Sequence, residues 1–214
     1  MMIVAALGGK ALQRHGERPD AELQKRLAVA AVVLAPLAER HELIVTHGNG
    51  PHVGLLDALR HELPDYEVVS VVEAGLIGRL IAPKTVIVWA AGGGIPLTGG
   101  RDGSGGIEAD VDQDRTAALL AVRVGAHRLL LLTDVDAVMD GWGSAAPRPI
   151  GSAGVSWFRR HSFASGSMGP KVDAACRFVE RTGRPAFIGA LDQAEAILGG
   201  RSGTKVTWSP TVSA

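Results

Sequence analysis

The chain has 214 residues, 46% of them hydrophobic and only 4% aromatic, so its core must be built from Ala, Val, Leu and Ile. Its 22 basic and 22 acidic side chains cancel, which removes any long-range field for nucleic acid or an anionic membrane, and a single cysteine argues against a disulfide-stapled or zinc-finger module. The length fits one compact domain over 1–214; no apolar run approaches the roughly 18 residues of a membrane span, and the first residues lack the basic start of a signal peptide, so a cytoplasmic protein is expected.

In chain order, a strand over 3–7 leads into Gly8-Gly9-Lys10. A helix over 20–39 follows, with Leu23, Leu27, Ala30, Leu34, Leu37 and Ala38 as its apolar stripe and Asp20 placed to cap it. The second strand, 43–46, ends in His47-Gly48-Asn49-Gly50-Pro51 before a helix over 53–60. Residues 68–72 read as a strand or as the entry to a helix over 74–81. The strand over 85–90 ends in Ala91-Gly92-Gly93-Gly94-Ile95-Pro96. After a polar stretch over 98–106, four carboxylates, Glu108, Asp110, Asp112 and Asp114, precede a helix over 114–124. A strand over 129–133 runs into Asp134-Val135-Asp136, and a Gly-, Ser- and Pro-rich stretch covers 140–156. Ser165-Gly166-Ser167-Met168-Gly169 enters a helix over 170–181 that carries Lys171 and a core Cys176. Strands over 185–188 and 205–208 flank a helix over 191–198. Repeated strand, loop and helix predict a three-layer α/β/α sandwich with a mainly parallel central sheet.

Parallel strands end on one edge, where α/β proteins bind ligands, and three of the strand ends here are rich in glycine. Gly8 and Gly9 allow a tight turn with amides free for an anion, and Lys10 adds a cation, although the same residues also describe a plain turn. Three consecutive glycines at 92–94 are costly unless something approaches the backbone closely. Asp112 or Asp114 either caps the helix that follows or orients a lysine or a metal-bearing phosphate. Side-chain alternation would put Asp134 and Asp136 on one side, shaping a nucleotide or magnesium pocket, with strand-end solvation as an equal explanation. Lys171 sits in a first helical turn, where the helix repels a cation; a bound phosphate would account for it. The acidic cluster has neither zinc ligands nor calcium-loop spacing.

The motifs ALGGKAL (6–12), THGNGPHVG (46–54), AGGGIP (91–96), GIEADVDQD (106–114), LLLTDVDAV (130–138), HSFASGSMGPKVDAACRFVE (161–180) and SGTKV (202–206) resemble, in this order, those of the amino acid kinase superfamily, and of carbamate kinases in particular. The resemblance implies an α/β/α phosphotransferase that uses ATP/ADP and Mg²⁺ on a small anionic acceptor, with carbamate or carbamoyl phosphate the first choice. It also implies a homodimer, with the apolar faces of 20–39 or 74–81 as contacts. By resemblance Gly8, Gly9, Gly48, Asn49, Gly50, Gly93 and Gly94 would wrap the phosphoryl group and acceptor, Asp114 would organise the catalytic groups, and Lys171 would contact nucleotide phosphates. Thr133, Asp134 and Asp136 would lie toward the nucleotide together with Ser167, Met168 and Gly169.

Three departures stand out. Lys10 occupies a position where carbamate kinases carry Asn, and Gln113 one where they carry Lys. Ala82, Pro83 and Lys84 alone stand where a long segment, with a protruding subdomain and a further lysine, is inserted. Lys10, with Lys84 or Arg79, is expected to make up the lost charge. The alternative expectation is a catalytically weak or inactive nucleotide-binding subunit of a larger complex, or a kinase for another small carboxylate or phosphate.

Overall fold

The computed structural model describes residues 1–12, 19–48, 52–71, 73–90, 97–100, 103–106, 112–164 and 168–208. The first half contains β1 (Met2–Leu7), α1 (Gly9–Leu12), α2 (Pro19–Arg40), β2 (Glu42–His47), α3 (His52–Glu62), β3 (Glu67–Val71), α4 (Ile77–Leu80) and β4 (Thr85–Ala90). Then come the hairpin β5 (Leu97–Gly100) and β6 (Gly103–Gly106), α5 (Gln113–Arg123), β7 (Arg128–Thr133) and the small hairpin β8 (Met139–Asp140) and β9 (Arg148–Pro149). The chain closes with β10 (Ser152–Gly154), α6 (Val155–Arg160), α7 (Met168–Thr182), β11 (Ala186–Ala190), α8 (Ala194–Leu198) and β12 (Thr204–Thr207).

Eight strands form one sheet in the order β10-β12-β11-β7-β1-β2-β4-β3, parallel throughout except between β11 and β12. Alternation along β1 explains the three layers. Ile3, Ala5 and Leu7 pack with α2, α3 and α8 on one face, while Val4 and Ala6 pack with α5 and α7 on the other. Small residues such as Ala117, Ala121, Ala174 and Ala175 bring α5 and α7 close to the sheet, and Cys176 is fully buried, its thiol pushed up to about 12 by that burial.

Several expectations are corrected. Where 68–72 left strand or helix entry open, residues 68–71 belong to a strand, β3, and residue 72 lies outside the described residues. Helix α2 begins at Pro19, the first-turn position suited to proline, so Asp20 lies inside the helix and not before it. The stretches 74–81 and 191–198 each open with a 3₁₀ turn, leaving only short α-helices. The stretch 140–156 contains β9, β10 and the start of α6. Lys84 adopts a left-handed φ of 57° in the turn between α4 and β4, its carbonyl accepting from Glu67 N–H at 2.9 Å. It thus precedes β4, about 20 Å of strand from the C-terminal edge, and is too far to replace a lost phosphate-side charge. The apolar stripe of α2 expected to carry self-association is spent on the core, Leu27, Ala30, Leu34 and Leu37 being buried there, while Val29 and Val32 on its other side and Leu76 before α4 are exposed. Among the described residues no helix is long and apolar enough to cross a membrane.

One surface network ties α5, α6 and α7 together. The Asp173 carboxylate accepts from Arg115, Arg159 and Arg177 at 3.1, 2.7 and 2.8 Å. Burial alone would raise its pKa, but the three guanidiniums hold it at about 2, below the ordinary 3.8. A carboxyl depressed in this way stabilises the fold above pH 3.8 and loses that contribution as pH falls toward 2. Because the guanidiniums are about half exposed, screening trims the effect, and Asp173→Asn is expected to cost about 1 kcal/mol at pH 7, or 2 to 4 °C of melting temperature. In urea titrations the difference from wild type should shrink below pH 4; a constant difference would mean the loss is one of packing.

Candidate active site

The parallel register β2-β1-β7 brings Leu7, His47 and Leu132 side by side at the C-terminal edge. Gly8, just beyond β1, donates its N–H to the Leu132 carbonyl at 3.1 Å, so this amide is committed to the fold and is not free for an anion. What Gly8 supplies is space: a Cβ there would stand 2.8 Å from Lys171 Nζ and 3.0 Å from the Leu132 oxygen. Glycine alone lets the ammonium lie over the strand end.

Lys171 reaches that point from the first turn of α7. It is buried, and its Nζ donates to both Asp114 oxygens at 2.9 Å. Burial pushes the Asp114 carboxyl above the usual carboxylate range, and the Lys171 ammonium acts in the opposite sense. The open choice between capping and orienting is divided between the two aspartates. Asp112 caps α5, accepting from the N–H groups of Asp114 and Arg115, while Asp114 holds the lysine. Between them Gln113 donates its amide to the Leu7 carbonyl, and its Oε1 packs against Gly48, where a Cβ would come within 2.6 Å. The β1 and β2 ends are thereby locked to the start of α5.

Beside this centre lies a cleft of about 620 Å³, large enough for a nucleotide. Exposed Lys10 on α1 lines one part of it; Thr133, Asp134, Val135 and Ala137 follow β7; Met139, Asp140, Gly141 and Trp142 come from the hairpin β8–β9; Phe163 and Met168 lie on the approach to α7. Trp142 is 72% exposed, between two glycines of positive φ, so its indole is free for a ligand. Thr133 Oγ1 donates to Asp134 at 3.0 Å. The expected partnership of Asp134 with Asp136 does not hold: β7 stops at Thr133, alternation ends with it, and Asp136 instead accepts from Gln193 at 3.1 Å. Gly9 opens α1, and Gly169 sits 2.9 Å by its N–H from the Ala164 carbonyl. Asn49, Gly50, Gly93, Gly94 and Ser167, with Glu108 and Asp110, lie outside the described residues.

Among the described residues no three metal-ligating side chains converge. Both Asp114 oxygens are taken by Lys171, which leaves Asp134 and Asp140 as carboxylates of the cleft wall. Such a donor set suits a magnesium ion that arrives on nucleotide phosphates, since that ion needs only one or two protein carboxylates. Sequence reasoning missed Trp142 and Phe163 as cleft walls. A tryptophan between two glycines in a polar stretch was the available signal.

The chain belongs to the amino acid kinase family, whose model matches residues 52–190. Within the family its similarity runs to carbamate kinase. The carbamate kinase of Rhizobium meliloti (strain 1021) is 31% identical over 304 aligned positions, covering 98% of this chain and 94% of the relative. That of Escherichia coli (strain K12) is 31% identical over 297 positions, covering 96% and 99%. Carbamate kinase from Giardia lamblia bound to AMP-PNP has the same fold, with a TM-score of 0.88 at 23% identity over 97% of this chain and 98% of that one. With 304 aligned positions against 214 residues, about 90 positions of the first relative face no residue here.

Proposed function

We propose that this chain is a carbamate kinase-type phosphotransferase, one domain over 1–214, that moves a phosphoryl group between ATP/ADP and a small anionic acceptor, with carbamate and carbamoyl phosphate as the pair. The observation that carries the reading is the buried Lys171–Asp114 pair held over Gly8 at the sheet edge, next to a cleft of nucleotide size. In the ATP-forming direction a terminal oxygen of ADP attacks the phosphorus of carbamoyl phosphate. The new P–O bond forms as the bond to the carbamate oxygen breaks, and carbamate leaves as an anion without needing a proton.

The chemistry asks chiefly for positioning and charge neutralisation. In this reading Lys171 neutralises the moving phosphoryl oxygens, and Asp114 keeps that ammonium aimed. Lys10 adds a second cation from the cleft, and Thr133 and Asp134 face the nucleotide. Magnesium, carried on the nucleotide phosphates near Asp134, would supply further neutralisation. The carbamate kinase relatives, and the AMP-PNP held by the Giardia enzyme, support the choice of substrates.

Gln113, a neutral amide already spent on the Leu7 carbonyl, favours the second reading, a nucleotide-binding subunit with little turnover. ATP formation from carbamoyl phosphate and ADP decides: the wild type should turn over at a rate well above a Lys171→Ala control. Equal rates, with tight nucleotide binding by calorimetry, would leave the binding subunit.

A further inference from the structure

Next to the β2 strand end, three polar side chains form a line that phosphoryl transfer leaves unused. His47 is 1% exposed. Its Nδ1 lies 2.7 Å from the Gly48 carbonyl oxygen, and its Nε2 lies 2.6 Å from Nδ1 of His52 on α3. Nε2 of His52 is 2.6 Å from the Ser70 hydroxyl on β3, and the two rings stand 4.9 Å apart.

Hydrogen-bond chemistry allows one arrangement of protons. A carbonyl oxygen only accepts, so Nδ1 of His47 carries hydrogen. Burial lowers the pKa of both rings, so each is neutral near pH 7 and holds a single ring proton. Nε2 of His47 is therefore bare and accepts from Nδ1–H of His52. Nε2 of His52 is bare in turn and accepts from the Ser70 hydroxyl. The Gly48 carbonyl thus sets the tautomer of the inner ring, and the outer ring supplies the donor that the buried, bare Nε2 of His47 needs.

We propose that His52 is a positioning residue for the acceptor side of the site: by donating to Nε2 of His47 it holds that ring in place, and through its Nδ1–H holds the Gly48 carbonyl beside the reacting centre where the anionic acceptor would bind. Gly48 is the residue that backs onto Gln113, next to Asp114, so a shift there is felt at the reacting centre. Without His52 the bare Nε2 of His47 is buried with no donor. The ring would turn to find one, and its Nδ1–H would leave the Gly48 carbonyl. The inference rests on the carbamoyl phosphate reading above, and it concerns the acceptor, not the nucleotide, because neither His47 nor His52 lines the cleft.

The test uses the full chain as wild type, His52→Leu and His52→Gln. Calorimetry with carbamoyl phosphate and with ADP separates the two sides of the site, and ¹⁵N NMR of the histidine rings reads the tautomer. His52→Leu should weaken carbamoyl phosphate binding about tenfold while ADP binding stays within about twofold. His52→Gln, whose amide can still donate to His47, should recover most of the loss. The wild-type spectrum should show His47 protonated on Nδ1, with Nε2 shifted as a hydrogen-bonded acceptor, and the Leu variant should lose that Nε2 shift. Unchanged carbamoyl phosphate affinity in the Leu variant, equal loss for both ligands, or a wild-type His47 protonated on Nε2 would each overturn the inference while leaving the functional reading standing. A wild type that binds no carbamoyl phosphate would instead overturn the functional reading, and this inference with it.

Discussion

Replacing Lys171 with alanine is expected to remove turnover, by about a thousandfold or more, and to destabilise the fold at the same time. The first effect follows from taking away the buried cation that the proposed reading puts against the phosphoryl group, an interaction that in a dry site supplies several kcal/mol of transition-state stabilisation. The second follows from Asp114, left as a buried carboxylate without its partner, at a cost of about 3 to 5 kcal/mol. That cost has a pH signature. Burial already pushes the Asp114 carboxyl upward, and loss of the ammonium pushes it further, so the variant's Asp114 takes up a proton more readily than the unfolded chain does. The penalty is therefore fully present above the raised pKa and is relieved as pH falls toward the unfolded value near 3.8. Urea unfolding at pH 8 and pH 5 should show the larger deficit at pH 8. The double change Lys171→Met with Asp114→Asn should regain stability but no activity. Full turnover in Lys171→Ala would end the catalytic assignment.

Lys10→Asn introduces the residue that the resemblance implies for this position and is nevertheless expected to lower kcat/KM by about tenfold to a thousandfold. Lys10 lies on the cleft with Thr133, Asp134 and Met168, on the nucleotide side of the Gly8 turn. Gln113 lies on the other side of that turn, between the Leu7 carbonyl and Gly48. On the proposed reading the two positions would flank the same anion, so that a charge at one would compensate for its absence at the other. Gln113→Lys should rescue part of the Lys10→Asn loss, since a lysine there can still donate to the Leu7 carbonyl while adding charge. The rescue should exceed the effect of Gln113→Lys alone, because neighbouring sites that serve one charge deficit are not additive. Steady-state kinetics on the four combinations measures this coupling. If Lys10→Asn leaves both turnover and nucleotide affinity unchanged, Lys10 is a surface residue of the cleft and no more.

The sheet was legible because its strands are short aliphatic runs: 85–90 was read with its observed bounds, and the runs starting near 3, 43 and 129 were read to within a residue or two at each end. Burial on both faces demands such runs, and the glycines that follow them mark the ligand edge. The small hairpin over 139–149 was not legible, since two-residue strands carry no periodicity. Asp134 and Asp136 were paired by an alternation that stops where the strand stops. Lys84 was offered as a phosphate-side charge although it precedes its strand; sequence proximity to a deleted segment says nothing about which edge of the sheet a residue occupies.

What the sequence determined by itself is the three-layer α/β/α plan and the family, because apolar patterning and motif order are properties of the chain taken locally. Tertiary structure decided which groups meet. Asp114 and Lys171 are 57 residues apart and touch only because α5 and α7 lie side by side on one face of the sheet. The Gly8 amide looks free in the sequence and is consumed by Leu132 because β1 and β7 are neighbours. Nε2 of His47 gains its donor, and His52 the Ser70 hydroxyl, because α3 and β3 bring both to its side. Hydrogen-bond capacity is a local property of each residue, but who satisfies it is set by strand order and register, and the reactivity of this site follows from that.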